Sequence, residues 1–223
     1  MCSIIKQKDK MKYLRKTFTL LLVTTVIFIS SCNPAHKKTQ PDHTEPTAVS
    51  ENFLITNNGA GDFILGEPLY KLNGEKYVIT EELYMPPDDE GGGAITWFPV
   101  KKDGNLIMYL FREYHTEIDE SSDVIAEIEV LSEDYLTKEG MGAGKTIEEF
   151  AAAYPDAKFW YTYIGNMYVA QTEKYPNTQF ILNKEDALNT PDVTEEIGYM
   201  KQSDFKEGAR IKSVRLWKVE IQP

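Results

Sequence analysis

Glu139 to Phe150 read EGMGAGKTIEEF. Alternating glycines followed by Lys145 and Thr146 are the residue types that cradle a phosphate: a turn rich in backbone N–H groups, a cation and a hydroxyl. The spacing does not complete that chemistry. A phosphate loop requires G-x-x-x-x-G-K-[ST]. Counting back from Gly144, the first glycine position is held by Glu139. Glu148 and Glu149 then place two carboxylates in the first helical turn, where they would repel a polyphosphate. The same residues meet a simpler need. Thr146 with Glu149 three residues on is a T-x-x-E capping box, and acidic side chains suit the positive end of a helix dipole. The segment predicts a glycine turn and a helix cap, with no nucleotide and no cofactor.

Other chemistry is thinly spread. His115 is the only histidine after His43, and no cysteine follows Cys32. A histidine-based triad or a catalytic zinc site needs partners. With Arg112, Glu113 and Glu117 nearby, His115 reads as part of a charged strand end. Pro86 to Gly93, PPDDEGGG, gathers Asp88, Asp89 and Glu90. Asp119 to Asp123, DESSD, alternates carboxylates and hydroxyls, but Val124 and Val130 stand where a calcium loop needs glycine and glutamate. Both stretches read as solvated acidic loops, so no metal and no catalytic residue is assigned. Paired carboxylates at a set separation would serve a glycan-active hydrolase, which is the enzymatic alternative to a binding domain.

The aromatic residues are more concentrated. Phe159, Trp160, Tyr161, Tyr163 and Tyr168 crowd KFWYTYIGNMYVAQ. Strand alternation puts Phe159, Tyr161 and Tyr163 on one face and Trp160 with Ile164 on the other. If Trp160 faces the core, Tyr161 and Tyr163, with Tyr168 beside them, form a platform for a sugar ring or a partner's side chain. Tyr161, Tyr163 and Tyr168 are therefore the candidate ligand-binding residues.

The elements that must position these side chains are mostly strands. Asn73-Gly74 and Asp103-Gly104 are hairpin signals between apolar runs. Gly165-Asn166 reads as a two-residue turn between strands Lys158–Ile164 and Met167–Gln171. Val124–Leu131 and Ala209–Val219 read as strands. Ile147, Phe150, Ala151 and Tyr154 share one helix face, and Pro155 ends that helix. The fold class is α+β, mainly antiparallel sheet with few short helices. ILGEPLYKL (Ile64–Leu72) can be laid on GAGKTIEEF (Gly142–Phe150), matching Gly66 to Gly144, Leu69 to Ile147 and Leu72 to Phe150. The expectation is two related halves, 51–131 and 132–223, in one domain. Each half would have a glycine turn, a short helical segment and several strands.

The chain opens with Lys6, Lys8, Lys10, Lys12, Arg15 and Lys16, followed by the apolar run Phe18 to Ile29. That run of about 12 residues falls short of the roughly 20 that span a bilayer; with small residues after it, the stretch reads as an export signal over residues 1–31. Met11 also makes a plausible start. Ile29-Ser30-Ser31-Cys32 resembles a lipobox, with Cys32 as the lipid attachment site. Cys2 is removed with the signal, which leaves no thiol pair for a disulfide. Residues 32–50 are the lipidated cysteine and a proline-rich polar tether, in which His36 and His43 are solvated. The formal net charge is −11. Losing six basic residues and Asp9 with the signal makes the mature chain more acidic. That charge disfavours nucleic acid as a partner.

The lipobox, ITNNGAGDFILG and its echo EGMGAGKTIEEF together resemble small bacterial envelope lipoproteins of uncharacterised function, the RpoE-regulated lipoprotein domain among them. That family offers no catalytic residues to carry over. The resemblance implies a bacterial envelope location, periplasmic or surface-facing, with a lipid anchor in a membrane. The functional expectation is a non-enzymatic domain that binds an envelope protein or a glycan.

Overall fold

The computed structural model describes residues 50–74, 76–84, 95–115, 120–191 and 196–218. The export signal, Cys32, His36, His43, Pro86–Gly93, Asp119 and Val219 lie outside the described residues. The folded unit is mainly antiparallel sheet with a single α-helix and a few 3-10 turns among the described residues, the class expected from the sequence.

Three two-residue strands, β1 (Ile55–Thr56), β2 (Gly59–Ala60) and β3 (Phe63–Ile64), form a small antiparallel ribbon. The remaining strands belong to one ten-stranded sheet. Its first half holds β4 (Val78–Ile79), β5 (Glu82–Tyr84), β6 (Ile95–Lys102), β7 (Asn105–His115) and β8 (Glu120–Val130). After helix α1 (Ile147–Ala153) come β9 (Lys158–Thr162), β10 (Met167–Gln171), β11 (Thr178–Leu182), β12 (Ile197–Met200) and β13 (Ile211–Trp217). The order across the sheet is β12-β9-β10-β11-β13-β8-β7-β6-β4, with β5 also on β6.

Local chemistry accounts for the hairpins. Asp103 and Gly104 both take positive φ, 51° and 81°. Their turn has the twist that matches paired strands, and it joins β6 to β7. Alternation then sends Phe98, Val100, Met108, Leu110, Ile128 and Val130 to the core face, where all are fully buried. Helix α1 lies in the same core through Ile147 and Phe150. The Phe150 ring meets those of Phe180 and Tyr154 at 4.7 and 4.8 Å between centroids. Burying each such ring contributes roughly 1.5–3 kcal/mol.

β8 and β13 meet in the middle of the sheet. They pair as Val214 with Val130, Arg215 with Glu129 and Leu216 with Ile128. A two-fold rotation perpendicular to the sheet through the Arg215–Glu129 pair exchanges the two strands. The segments matched in sequence dock on these strands in the same way. Gly66 N–H donates to Ile125 O, Ile125 N–H to Glu67 O and Leu69 N–H to Asp123 O. Gly144 N–H donates to Ile211 O, Ile211 N–H to Lys145 O and Ile147 N–H to Ala209 O. Gly66 and Gly144, and Leu69 and Ile147, thus occupy equivalent places. The rotation also relates two side-chain contacts on the outer face. Ser213 Oγ donates to Glu129 at 2.7 Å, and Arg215 Nε and Nη2 donate to Glu127 at 2.8 and 2.5 Å.

Three local expectations are corrected. Asn73-Gly74 makes a tight loop, not a hairpin: Gly74 N–H bonds to Tyr77 O, and the Asn73 side chain accepts from Ile79 N–H. Pro68 to Asn73 forms successive turns where a short helical segment was expected. β9 stops at Thr162, because its hydroxyl accepts the Ile164 N–H and Met167 pairs directly with Thr162. The connection is therefore the four-residue loop 163–166, with positive φ at Gly165 and Asn166.

Arg215→Met should lower unfolding free energy by about 1–2 kcal/mol, since hydrogen bonds to a half-buried charge are worth more than exposed pairs. Urea titration of both chains checks this. Equal midpoints would show that the Arg215–Glu127 contact adds nothing to the joint.

Candidate functional site

The Gly-Lys-Thr turn uses its own donors. Gly144 N–H goes to Ile211 O, Lys145 N–H to Gly142 O and Ile147 N–H to Ala209 O. Thr146 N–H bonds the Glu149 carboxylate at 2.8 Å, and Glu149 N–H returns to Thr146 Oγ1 at 3.2 Å. This is the expected capping box. The Lys145 ammonium lies 3.5 Å from Glu149. Gly144 has φ 79°, and a Cβ there would come within 2.5 Å of the Glu133 carboxyl carbon. The N–H groups of Gly144, Lys145, Thr146 and Ile147 are thus committed within the chain. Burial raises the Glu149 pKa less than its backbone bond to Thr146, the largest influence, and Lys145 lower it, so the carboxyl sits below the ordinary range. Beside the turn is a cleft of about 520 Å³, lined by Glu133, Leu136, Lys145, Thr146, Glu149 and Arg210 among others.

Glu139, which stands where a phosphate loop would have glycine, has a different task. Its carboxylate accepts from Tyr175 OH at 2.9 Å, Tyr154 OH at 3.1 Å and Lys174 Nζ at 2.5 Å. Those donors come from the end of α1 and the β10–β11 connection. Desolvation pushes this carboxyl up, but hydrogen bonds from Lys174, Tyr175 and Tyr154 outweigh it and hold the pKa below the ordinary value. Burial, with Glu139 beside it, pushes Tyr175 up to about 12. Asp62 is held alike by Tyr77 OH at 2.8 Å and Lys76 Nζ at 2.5 Å. Each glycine turn is therefore pinned by a carboxylate under a Lys-Tyr pair. The signal was in the sequence, because Glu-Lys-Tyr occurs at both 75–77 and 173–175.

The aromatic platform is not built as expected. Tyr161 is 8% exposed and Tyr168 2%, both in the main core, and only Tyr163 is open at 58%. The Tyr161 and Tyr168 rings pack on each other at 4.9 Å. Tyr161 OH bonds the Asn166 side chain, and Tyr168 OH meets the Thr190 hydroxyl. Trp160 lies on the opposite, outer face with Val169 and Ile181. The early end of β9 explains the difference, since it places Tyr163 in the loop and not in the strand. Tyr161 and Tyr168 are core residues in this arrangement.

The outer face carries side chains the sequence did not single out. Trp97 and Tyr109 stack at 4.4 Å with an interplanar angle of 8°. At the far edge, Tyr199 of β12 pairs with Trp160 and is 78% exposed, and Ile197 is 40% exposed. Only cross-strand register brings these residues together. The His115 backbone pairs with Glu120 at the end of β7. Among the described residues no group of three or more His, Cys, Asp or Glu is placed to hold a metal.

No family model matches this chain. No curated protein matches it either. A search of solved structures aligns it with the crystal structure of the uncharacterized protein yfeY from Escherichia coli. That alignment has a TM-score of 0.44 and 16% identity over 74% of this chain and 99% of that one.

Thr146→Ala should cost about 1 kcal/mol through the lost cap, while Lys145→Ala changes stability little. Thermal unfolding compares the two, and a larger loss for Lys145→Ala would contradict the cap assignment. Glu139 should also leave a mark on acid stability. Its folded pKa is depressed, so its contribution is complete above the ordinary carboxylate range and is lost as pH falls through the folded value. The stability gap between wild type and Glu139→Gln should be wide at neutral pH and close in acid. A gap independent of pH, read from urea titrations, would rule out this role for the ionised carboxylate.

Proposed function

We propose that the chain is a lipoprotein of a bacterial envelope, held to a membrane through lipid on Cys32, and that its folded domain binds a partner or ligand without catalysing a reaction. The observation that carries the anchor is Ile29-Ser30-Ser31-Cys32 directly after a basic start and a short apolar run. Residues 32–50, the lipidated cysteine and a proline-rich polar stretch, would then link the anchor to the folded domain. This reading places the chain among small envelope lipoproteins such as the RpoE-regulated lipoprotein domain.

The domain's own chemistry supports binding. Lys145, Lys174, Glu139 and Glu149, charged groups beside the glycine turn, are engaged with one another or with the backbone. Large side chains instead stand open at one corner of the sheet: Tyr163, Ile164, Ile197 and Tyr199. Amphipathic aromatic rings beside aliphatic ones suit an envelope protein or a glycan, because a ring offers a large contact area at small entropic cost.

Cys32→Ser should abolish lipidation and release the protein from membranes. Fractionation of cells after a high-salt wash, with mass measurement of the mature N-terminus, checks this. A Cys32→Ser chain that stays wholly with membranes contradicts the anchor.

A further inference from the structure

Edge strand β12 presents an unusual face. It reads Ile197-Gly198-Tyr199-Met200 and pairs with β9 on one side. Natural edges are commonly protected by lysine, proline, a bulge or a very short strand, and among the described residues β12 shows only its shortness. Its outer-face residues continue an apolar row. Tyr199 sits beside Trp160, Trp160 beside Val169, and Val169 beside Ile181. That row is buried in the sheet and opens to solvent at Tyr199.

We propose that β12 pairs antiparallel with β12 of a second copy of this chain, about a two-fold axis through Gly198. Strand geometry selects this register. A two-fold axis perpendicular to a continuous sheet keeps outer residues on the outer face, so each residue must face one of its own alternation. Centred on Gly198, Ile197 faces Tyr199 of the other copy, and the pair occurs twice. Aromatic and β-branched residues are favourable cross-strand neighbours. Glycine lies at the axis, where the backbones approach. Centred on Tyr199, the same strand would oppose Ile197 to Lys201, a poorer match. The sheet already contains this operation within one chain, where β8 and β13 pair about Arg215 and Glu129.

A four-residue edge buries far less than the roughly 1,200–2,000 Å² of a stable interface. The pairing is therefore weak in free solution. It becomes effective when both copies share a membrane plane, each on a tether that starts at residue 32 and ends before residue 50. That step rests on the anchor proposed above, and confinement raises effective concentration without new contacts.

Disulfide trapping tests the register. Facing residues lie about 4.5–5.5 Å apart at Cα, within disulfide reach. Residues 197 and 197 of two copies are diagonal neighbours at roughly 7–8 Å, as are 199 and 199. A whole chain carrying Cys2→Ser and Cys32→Ser is purified as two variants, Ile197→Cys and Tyr199→Cys. The two are oxidised separately and mixed, at high protein concentration. Mixed chains should cross-link roughly tenfold more than either alone, and unchanged thermal unfolding confirms that both fold. Equal cross-linking of mixed and separate chains, or none, overturns the pairing. The same variants in an otherwise unaltered chain are then oxidised in cell membranes. Selective trapping there at low expression supports confinement by the anchor. Selective trapping only in the concentrated sample leaves the pairing standing and counts against the anchor.

Discussion

The pairing of β8 with β13 holds the sheet together, and the rest of the molecule is arranged around it. β6, β7 and β8 follow one another through short connections, as do β9, β10 and β11, so each wing can form from local contacts. β13 cannot. Ser213 meets Glu129 and Arg215 meets Glu127 across sequence separations of 84 and 88 residues. Contacts at such range carry a loop-closure cost before they return any stability. At this joint the cost is offset by fully buried Val130, Ile128, Val214 and Leu216 on one face. The two related polar contacts add to it on the other face.

The glycine turns depend on that joint. Gly66 gives its N–H to Ile125 of β8 and Gly144 gives its N–H to Ile211 of β13, so each turn docks on one strand of the joint. Charged pins then fix the turns from the other side, Asp62 under Lys76 and Tyr77, and Glu139 under Lys174, Tyr154 and Tyr175. In the second turn the N–H groups of Gly144, Lys145, Thr146 and Ile147 are all bonded within the chain. This is the physical reason that a segment resembling a phosphate loop does structural work here.

The sheet has two unlike faces. Its inner face is covered by α1, Tyr154 and the β1–β3 ribbon in a single apolar cluster. Its outer face carries the Trp97–Tyr109 stack on one wing, the Trp160–Val169–Ile181 cluster on the other, and polar pairs between. Large apolar residues on both faces of β9 are therefore no contradiction. Phe159 and Tyr161 fill the core, while Trp160 completes a row that runs to the open edge at Tyr199.

The sequence alone determined the features set by neighbours within a few residues. Thr146 and Glu149 specify a cap because capping is a contact across three residues, and Asp103-Gly104 specifies a hairpin because it needs only positive φ at two positions. Alternation along 209–219 marked the strand observed at Ile211–Trp217, and the 3.6-residue spacing of Ile147, Phe150 and Tyr154 marked the helix. Register and coverage were decided by the tertiary structure. Whether β9 ended at Thr162 or Ile164 turned on one hydroxyl accepting one N–H, and that choice moved Tyr163 out of the strand. Whether Tyr161 and Tyr168 faced a ligand or a core depended on distant elements of the same core, such as the segment carrying Phe205, whose ring lies 6.2 Å from that of Tyr168. Those elements lie at distant sequence positions, and no local pattern encodes which face of a two-sided apolar strand they will cover.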